Sequence, residues 1–268
     1  MTPRDIIDYV ESLDTEQYSK DNYLSRLFLD QQDHYFDTSD EWSTFSRAGG
    51  VAYPPDYDDL ARLHALVTKR KIITVLELGS GKSSLVLADA LRQNHDQHKN
   101  KLKGIRRANP FRLLSIESEE KYRTEVQHQC ERAGLGDFVE IFLSEAIQTT
   151  YDEQICGQYK EIPSCCPDLI YVDGPMPMSY RNGGSQYMDM RHNEVTNITC
   201  DVLRIESVLL PGTIILIDGM TNNSRFIRNN LKRCWESFED TDADYSILIL
   251  DEAPLGKIHK RQLNFQNS

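Results

Sequence analysis

The sequence predicts an α/β protein organised around a doubly wound, mostly parallel sheet. Three observations lead there. Short apolar, β-branched runs alternate with stretches of helical spacing along most of the chain. Four of those runs finish on or beside an acid: Glu77, Glu117, Asp173 and Asp218. After the first come two glycines one residue apart, Gly79 and Gly81, and then a helical pattern over residues 83–91. Strand, tight turn and helix N-terminus in that order let backbone N–H groups approach a ligand without an intervening Cβ. In an open α/β sheet ligands bind beyond the carboxyl ends of the strands, and all four acids would lie along that edge.

Composition narrows the function classes. A chain of 268 residues can bury a substantial core. Its net charge of −12 and pI near 5.1 repel polyanions, so nucleic acid is not expected as a partner. No apolar run approaches the roughly 20 residues that span a bilayer. The first residues, Met1 to Asp8, carry no signal-peptide apolar core. A cytoplasmic setting without membrane contact is the expectation. Cys130, Cys156, Cys165, Cys166, Cys200 and Cys234 form no C-x-x-C pair and no zinc spacing, and are read as reduced thiols.

Taken in order, residues 1–50 are polar, with helical spacing in Ile6, Ile7, Val10 and Leu13 and again in Leu24, Leu27 and Phe28. They predict short helices followed by an aromatic flap (Trp42, Phe45) and a Gly49-Gly50 loop. Residues 1–52 are therefore taken as a helical extension and 53–268 as the ligand-binding domain. Pro54-Pro55 opens a helix with Asp56, Asp58 and Asp59 at its positive end and Lys69-Arg70-Lys71 at its other. The first strand, residues 72–78, and its helix follow. Residues 92–109 read as an exposed basic loop.

Residues 112–117 are a second strand, 119–133 a helix and 138–143 a third strand. Residues 168–173 make a fourth strand. A loop over 174–190 carries Pro175, Pro177, Tyr180, Gly183, Gly184 and Tyr187. Residues 195–210 are expected to be helical, 213–218 a fifth strand and 225–238 a helix. Residues 245–250 and 259–265 are expected to close the sheet as an antiparallel hairpin.

Two ligands compete for the Gly79–Gly81 turn. Gly81-Lys82-Ser83 is the tail of a phosphate loop, G-x-x-x-x-G-K-S/T, but the leading glycine would be residue 76, which is Leu. Glu77 would also set a like charge beside the phosphates. A dinucleotide fingerprint needs a third glycine where Ser84 stands. A cationic ligand with ribose hydroxyls uses the acids instead: Glu77 toward the cation, and Glu117 as the acceptor pair for two hydroxyl donors.

Glu77-Leu78-Gly79-Ser80-Gly81-Lys82-Ser83-Ser84 resembles motif I of class I S-adenosylmethionine (SAM)-dependent methyltransferases, in the form seen in small-molecule and sugar O-methyltransferases. Ser115-Ile116-Glu117 is similar to their ribose-binding strand end, residues 143–146 to the segment lining adenine, and residues 168–175 to their motif IV. The resemblance covers about residues 55–265. It implies a seven-stranded Rossmann-like sheet and SAM as cofactor. It assigns Glu77, Gly79, Ser80, Gly81, Ser83, Ser84, Glu117, Ser118, Glu145, Ala146 and Asp173 to the cofactor. The acceptor would be a hydroxyl of a small molecule or carbohydrate.

The candidates for taking the acceptor's proton lie after the fourth strand: Asp173, Tyr180, Arg181 and His192, with Asp173 and His192 foremost, the histidine by its intrinsic pKa. Tyr180, Tyr187, Met176, Met178 and Tyr53 are candidates for an acceptor wall. In the metal-dependent branch of the family an Asp-Asn or Asp-Asp pair ends strand five. Here Asp218-Gly219 stands there, so a divalent metal, which would use Asp173 and Asp218, is not favoured. A phosphate-loop hydrolase or kinase, and a non-catalytic partner subunit of the same fold, are the alternatives. A homodimer contact is expected, if anywhere, in the N-terminal 50 residues.

Overall fold

The computed structural model describes residues 1–28, 56–105, 108–176, 179–181, 189–191 and 196–268. Its centre is a seven-stranded sheet built from β1 Thr74–Leu78, β2 Arg112–Glu117, β3 Val139–Leu143, β6 Leu169–Val172, β7 Ile214–Asp218, β8 Trp235–Asp240 and β9 Tyr245–Leu250. Their order across the sheet is β3-β2-β1-β6-β7-β9-β8. The first five run parallel; β9 is antiparallel to β7, and β8 to β9. A separate antiparallel pair, β4 Ala146–Tyr151 and β5 Gln154–Tyr159, lies outside this sheet. The doubly wound sheet read from the sequence is the observed one.

Continuous burial explains why the central strands read as apolar runs. Every residue of β1, β6 and β9 is buried, because both faces of the sheet are covered. Alternate residues feed two cores. Val75, Leu113, Leu169 and Ile214 pack on one face against α1 (Pro3–Glu11), α3 (Tyr57–Lys69) and α4 (Lys82–His98). Helix α5 (Glu120–Arg132) adds Val126 and Cys130 to that layer, α2 (Thr15–Asp21) packs on α3, and Ile6, Ile7 and Val10 of α1 belong to the same core. Leu76, Leu114, Ile170 and Ile215 face the other way, onto Tyr159 of β5, Val202 of α6 (Asp201–Ile205) and Ile227 of α7 (Thr221–Asn230).

Four local expectations change. The first helix after Gly81 runs to His98, through the stretch expected as loop; Arg92 pairs with Asp89 and Asp96 at helical spacing, and buried Asn94 donates to the carbonyls of Val67 and Ile72. Of the expected helix over 195–210, the described residues form the short α6 and a 3-10 turn over Glu206–Val208. The described part before α6 is extended, because Gly157 N–H donates to Ile198 O and Cys200 N–H to Gly157 O. The predicted helix over 225–238 ends at Asn230. The Glu206 carboxylate then collects the N–H groups of Lys232 and Arg233 and the Trp235 indole, which turns the chain into β8.

The antiparallel closure is present, but the partner of β9 is β8, and the segment expected to pair with it is helix α8 (Gly256–Gln266). Its buried positions, His259, Gln262 and Gln266, keep helical spacing with polar residues, so no apolar stripe announces them. The β4–β5 hairpin was not expected at all. It occupies the connection between β3 and β6, a stretch to which the sequence reading assigned no element.

Candidate functional site

Strand β1 pairs with β2 on one side and β6 on the other, so the chain reverses its winding between β1 and β6. That is the topological switch point, where the turns after the two strands part and leave a crevice. Gly79 N–H donates to Ile116 O (3.0 Å) and Asp173 N–H to Leu78 O (2.9 Å), which locks the three strand ends together. Gly79 has φ +96, and a Cβ there would sit 2.9 Å from Gly174 N. A Cβ on Gly174 would lie 2.8 Å from Gly79 Cα. Only glycine at both places permits this approach. Gly81 differs: its φ of −177 is ordinary extended backbone, and the nearest atom to a Cβ there is Ser83 Oγ at 4.0 Å. It faces open space at the N-terminus of α4.

The two glutamates are held in different ways. Glu77 is fully buried; Ser83 Oγ donates to one carboxylate oxygen (2.6 Å) and Ser84 Oγ to the other (2.5 Å). The structure thus places it beneath the turn, clamping β1 to the start of α4. Glu117 lies at the crevice, 8% exposed. Its Oε1 accepts from the N–H groups of Ser118 (2.7 Å) and Glu119 (3.0 Å), and its Oε2 from Ser80 Oγ (2.9 Å). The carboxylate is therefore aimed before any ligand arrives.

Burial pushes the Glu77 carboxyl up to about 7, against the serine hydroxyls that favour its charge. An unfolded glutamate gives up its proton at about pH 4.3, so between those limits the native state holds the extra proton. Stability must then fall as pH rises from about 4.5 to 7, by on the order of 3 kcal/mol for this group. Glu77→Gln is expected to flatten that slope in thermal melts across this range, though not to abolish it. Asp201 is likewise pushed up to about 7 by burial, and Asp59 to about 7 by burial and Asp218. An unchanged slope in the variant would contradict the assignment.

Asp173 is exposed at the crevice floor. The surrounding walls, and then Asp218, Glu77, Asp59 and Glu117, hold its carboxyl well above the usual range. Asp218 accepts from Tyr171 Oη (2.8 Å) and lines a small void with Asp59 and Arg62 of α3 and Tyr245. Arg62 is paired with Asp59, and its guanidinium lies 4.4 Å from the Tyr245 ring centre. The crevice therefore has a surplus of carboxylates, which suits a cation. Among the described residues no group of three His, Cys, Asp or Glu is arranged for a metal ion.

The remaining sequence-derived residues fall in several places. Ser118 joins the Glu117 turn. The segment at 144–146 runs beside it, Ser144 N–H donating to Glu117 O (2.8 Å). Glu145 pairs with Lys160, and buried Ala146 begins β4. Tyr180, expected on an acceptor wall, is buried instead, its ring against Gly157 and its hydroxyl donating to Asn197 Oδ1 (2.8 Å). His192, Trp42, Phe45, Tyr53, Met178, Gly183, Gly184 and Tyr187 lie outside the described residues.

Arg181, a candidate from the segment after the fourth strand, donates to both oxygens of Glu119 (2.8 Å each) and ties that segment to the start of α5. Sequence reasoning missed Tyr159, which comes from the unforeseen hairpin and lies beside Gly174 at the switch point; no motif exposes it.

No family model and no curated protein matches this chain. Among solved structures it is similar to the O-methyltransferase TomG from Streptomyces achromogenes in complex with SAM. The identity is 14%, covering 90% of this chain and 100% of that one, with a TM-score of 0.45. An O-methyltransferase from Bacillus cereus in complex with SAH is similar at 15% identity, over 89% and 100% of the two chains, with a TM-score of 0.44. The SAH-bound Podospora anserina methyltransferase PaMTH1 is similar at 13% identity, over 90% and 97%, with a TM-score of 0.46. At such distances the residues of the crevice, and not the likeness, carry the functional reading.

Proposed function

We propose that this chain is a SAM-dependent methyltransferase acting on a hydroxyl of a small molecule or carbohydrate. The observation that supports it best is the pairing of a backbone cradle at Gly79–Gly81 with the pre-aimed Glu117 carboxylate one strand away. Glu117 would accept from the ribose hydroxyls, in part by displacing the Ser80 hydroxyl. The glycine turn would admit the amino-acid end. The carboxyls of Asp173, Asp218 and Asp59, held toward their neutral forms by burial and by one another, ionise more readily when a cation arrives, which favours the cationic cofactor electrostatically. When bound, SAM supplies a methyl group already activated on a sulfonium.

The chain's own task is then to hold the acceptor in line with the methyl and to take its proton. Asp173 stands at the crevice floor with a carboxyl whose raised pKa makes it a stronger base than an ordinary aspartate. His192 is the second candidate for that proton. Within this proposal the protein works in the cytoplasm, and its N-terminal segment is where a second copy would dock.

Isothermal titration with SAH and, separately, with ATP tests the reading. Saturable SAH binding with ATP silent is expected. ATP binding with SAH silent would replace it with the phosphate-loop alternative, which Leu76 disfavours on sequence grounds.

A further inference from the structure

The basic stretch that follows α4 plays no part in the crevice, and the fold gives it a companion. No acid stands between Asp96 and Glu117, nor after Glu252. These two stretches meet where the strands begin, at the edge of the sheet opposite the crevice. Helix α8 is fixed there by Gln262, whose Nε2 donates to Asp168 Oδ1 (2.6 Å). The other oxygen of Asp168 accepts from the N–H groups of Ile73 and Thr74. Phe265 of α8 packs with Ile73, Leu102, Ile105 and Phe111, its ring edge-on to His98 at 5.4 Å. Lys99, Lys101 and Lys103 thus share one surface with Lys257, Lys260 and Arg261, whose Nη1 comes within 3.7 Å of a Cβ position on Gly104. All six cations are exposed, and none is in an ion pair among the described residues. Acids flanking the surface are engaged: Asp96 pairs with Arg92, Glu140 with Arg112 and Asp8 with Arg4.

The net charge of −12 speaks for the whole chain and is no guide to this face. Strand β1 spans five residues, so the crevice carboxylates lie about 17 Å away. That exceeds the Debye length of about 8 Å at physiological salt, and their field is largely screened here. Two exposed aliphatic side chains stand beside the cations at the start of α8, Leu255 (58% exposed) and Ile258 (62%). The aromatic rings of the surface, Phe111 and Phe265, are turned into the cluster with Ile73, so they offer no stacking platform to nucleic-acid bases. Cations around aliphatic tips match an anionic bilayer: its headgroups meet the cations and its acyl boundary takes the aliphatic groups. We propose that this edge of the sheet docks on an anionic lipid surface, with the crevice left facing the solution. Such contact needs no spanning helix, and no helix among the described residues is long and apolar enough to be one. The inference stands independently of the cofactor reading.

Cosedimentation with phosphatidylcholine vesicles, with and without phosphatidylserine, tests it. Binding is expected only to the vesicles that contain phosphatidylserine, and is expected to fall as salt is added. Each lysine contributes about fivefold, so Lys99→Ala/Lys101→Ala/Lys103→Ala together should lower the partition coefficient roughly 100-fold. Lys257→Ala/Lys260→Ala, on the separate helix, gives an independent reading with a loss of about 25-fold. Leu255→Ser/Ile258→Ser should lower it at least about tenfold. All three variants are expected to melt as the wild type does, because the altered side chains are exposed. Wild-type protein that ignores phosphatidylserine vesicles overturns the proposal. So does vesicle binding that both lysine variants leave unchanged. Retention of a single-stranded RNA or duplex DNA oligonucleotide, with vesicles left unbound, overturns it in favour of nucleic acid.

Discussion

Gly79→Ala is expected to lose SAH binding by at least about 100-fold and to unfold earlier. The new Cβ would fall 2.9 Å from Gly174 N, a backbone atom that cannot rotate away, at a φ of +96 that side chains rarely adopt. Left-handed strain and backbone overlap together cost about 2–4 kcal/mol, or roughly 5–15 °C in melting temperature for a chain of this size. The only relief is to part the β1 and β6 turns, which destroys the crevice. Gly81→Ala is the informative contrast, because its Cβ meets nothing nearer than 4.0 Å and its φ suits any residue. That variant should melt normally and still bind SAH more weakly, since the methyl occupies the ligand's side of the turn. Titration and melting of both proteins decide the matter; equal binding by the two would remove the glycine turn from the site.

Glu117→Ala is expected to weaken SAH by about 100-fold, the loss of two hydrogen bonds to a charged acceptor. Part of the effect arises before any ligand binds. The N–H groups of Ser118 and Glu119 and the Ser80 hydroxyl all lose their acceptor, so the turn itself loosens. Glu117→Gln keeps one acceptor oxygen for those donors and should fall in between, about tenfold weaker than wild type. If titration gives wild-type affinity for the alanine variant, the ribose assignment is wrong.

What could be read in advance follows from how each segment is stabilised. Strands β1, β2, β6 and β7 are buried on both faces, so their sequences are dominated by apolar residues with an acid at or next to the C-terminal end. The glycine turn was legible because close approach leaves a compositional trace. The β4–β5 hairpin left none: Gln148, Thr149 and Thr150 dilute its alternation, and its turn at Asp152 and Glu153 reaches φ values of 45 and 65 without glycine. Tyr159 was invisible for the same reason. Strand β8 and the shortened α6 are set by remote partners, Glu206 and Gly157, that no local window contains. Glu77 was expected to face a cation. Residue 77 lies inside β1, and its carboxylate is satisfied by serines of the following helix.

The contact between Gly79 and Gly174 also has a kinetic meaning. The residues from Glu77 to Ser84 are contiguous and can form their clamp locally. The crevice, however, needs β6 to settle beside β1 after β2, β3 and the whole hairpin have been threaded between them in sequence. Parallel pairings of such high contact order are slow, because the loop must close before any contact rewards it. On a ribosome the motif emerges long before the turn that completes it. Ligand competence therefore reports the meeting of β6 with β1 and not the early appearance of the glycine-rich turn, so a titration followed during refolding times that one long-range pairing.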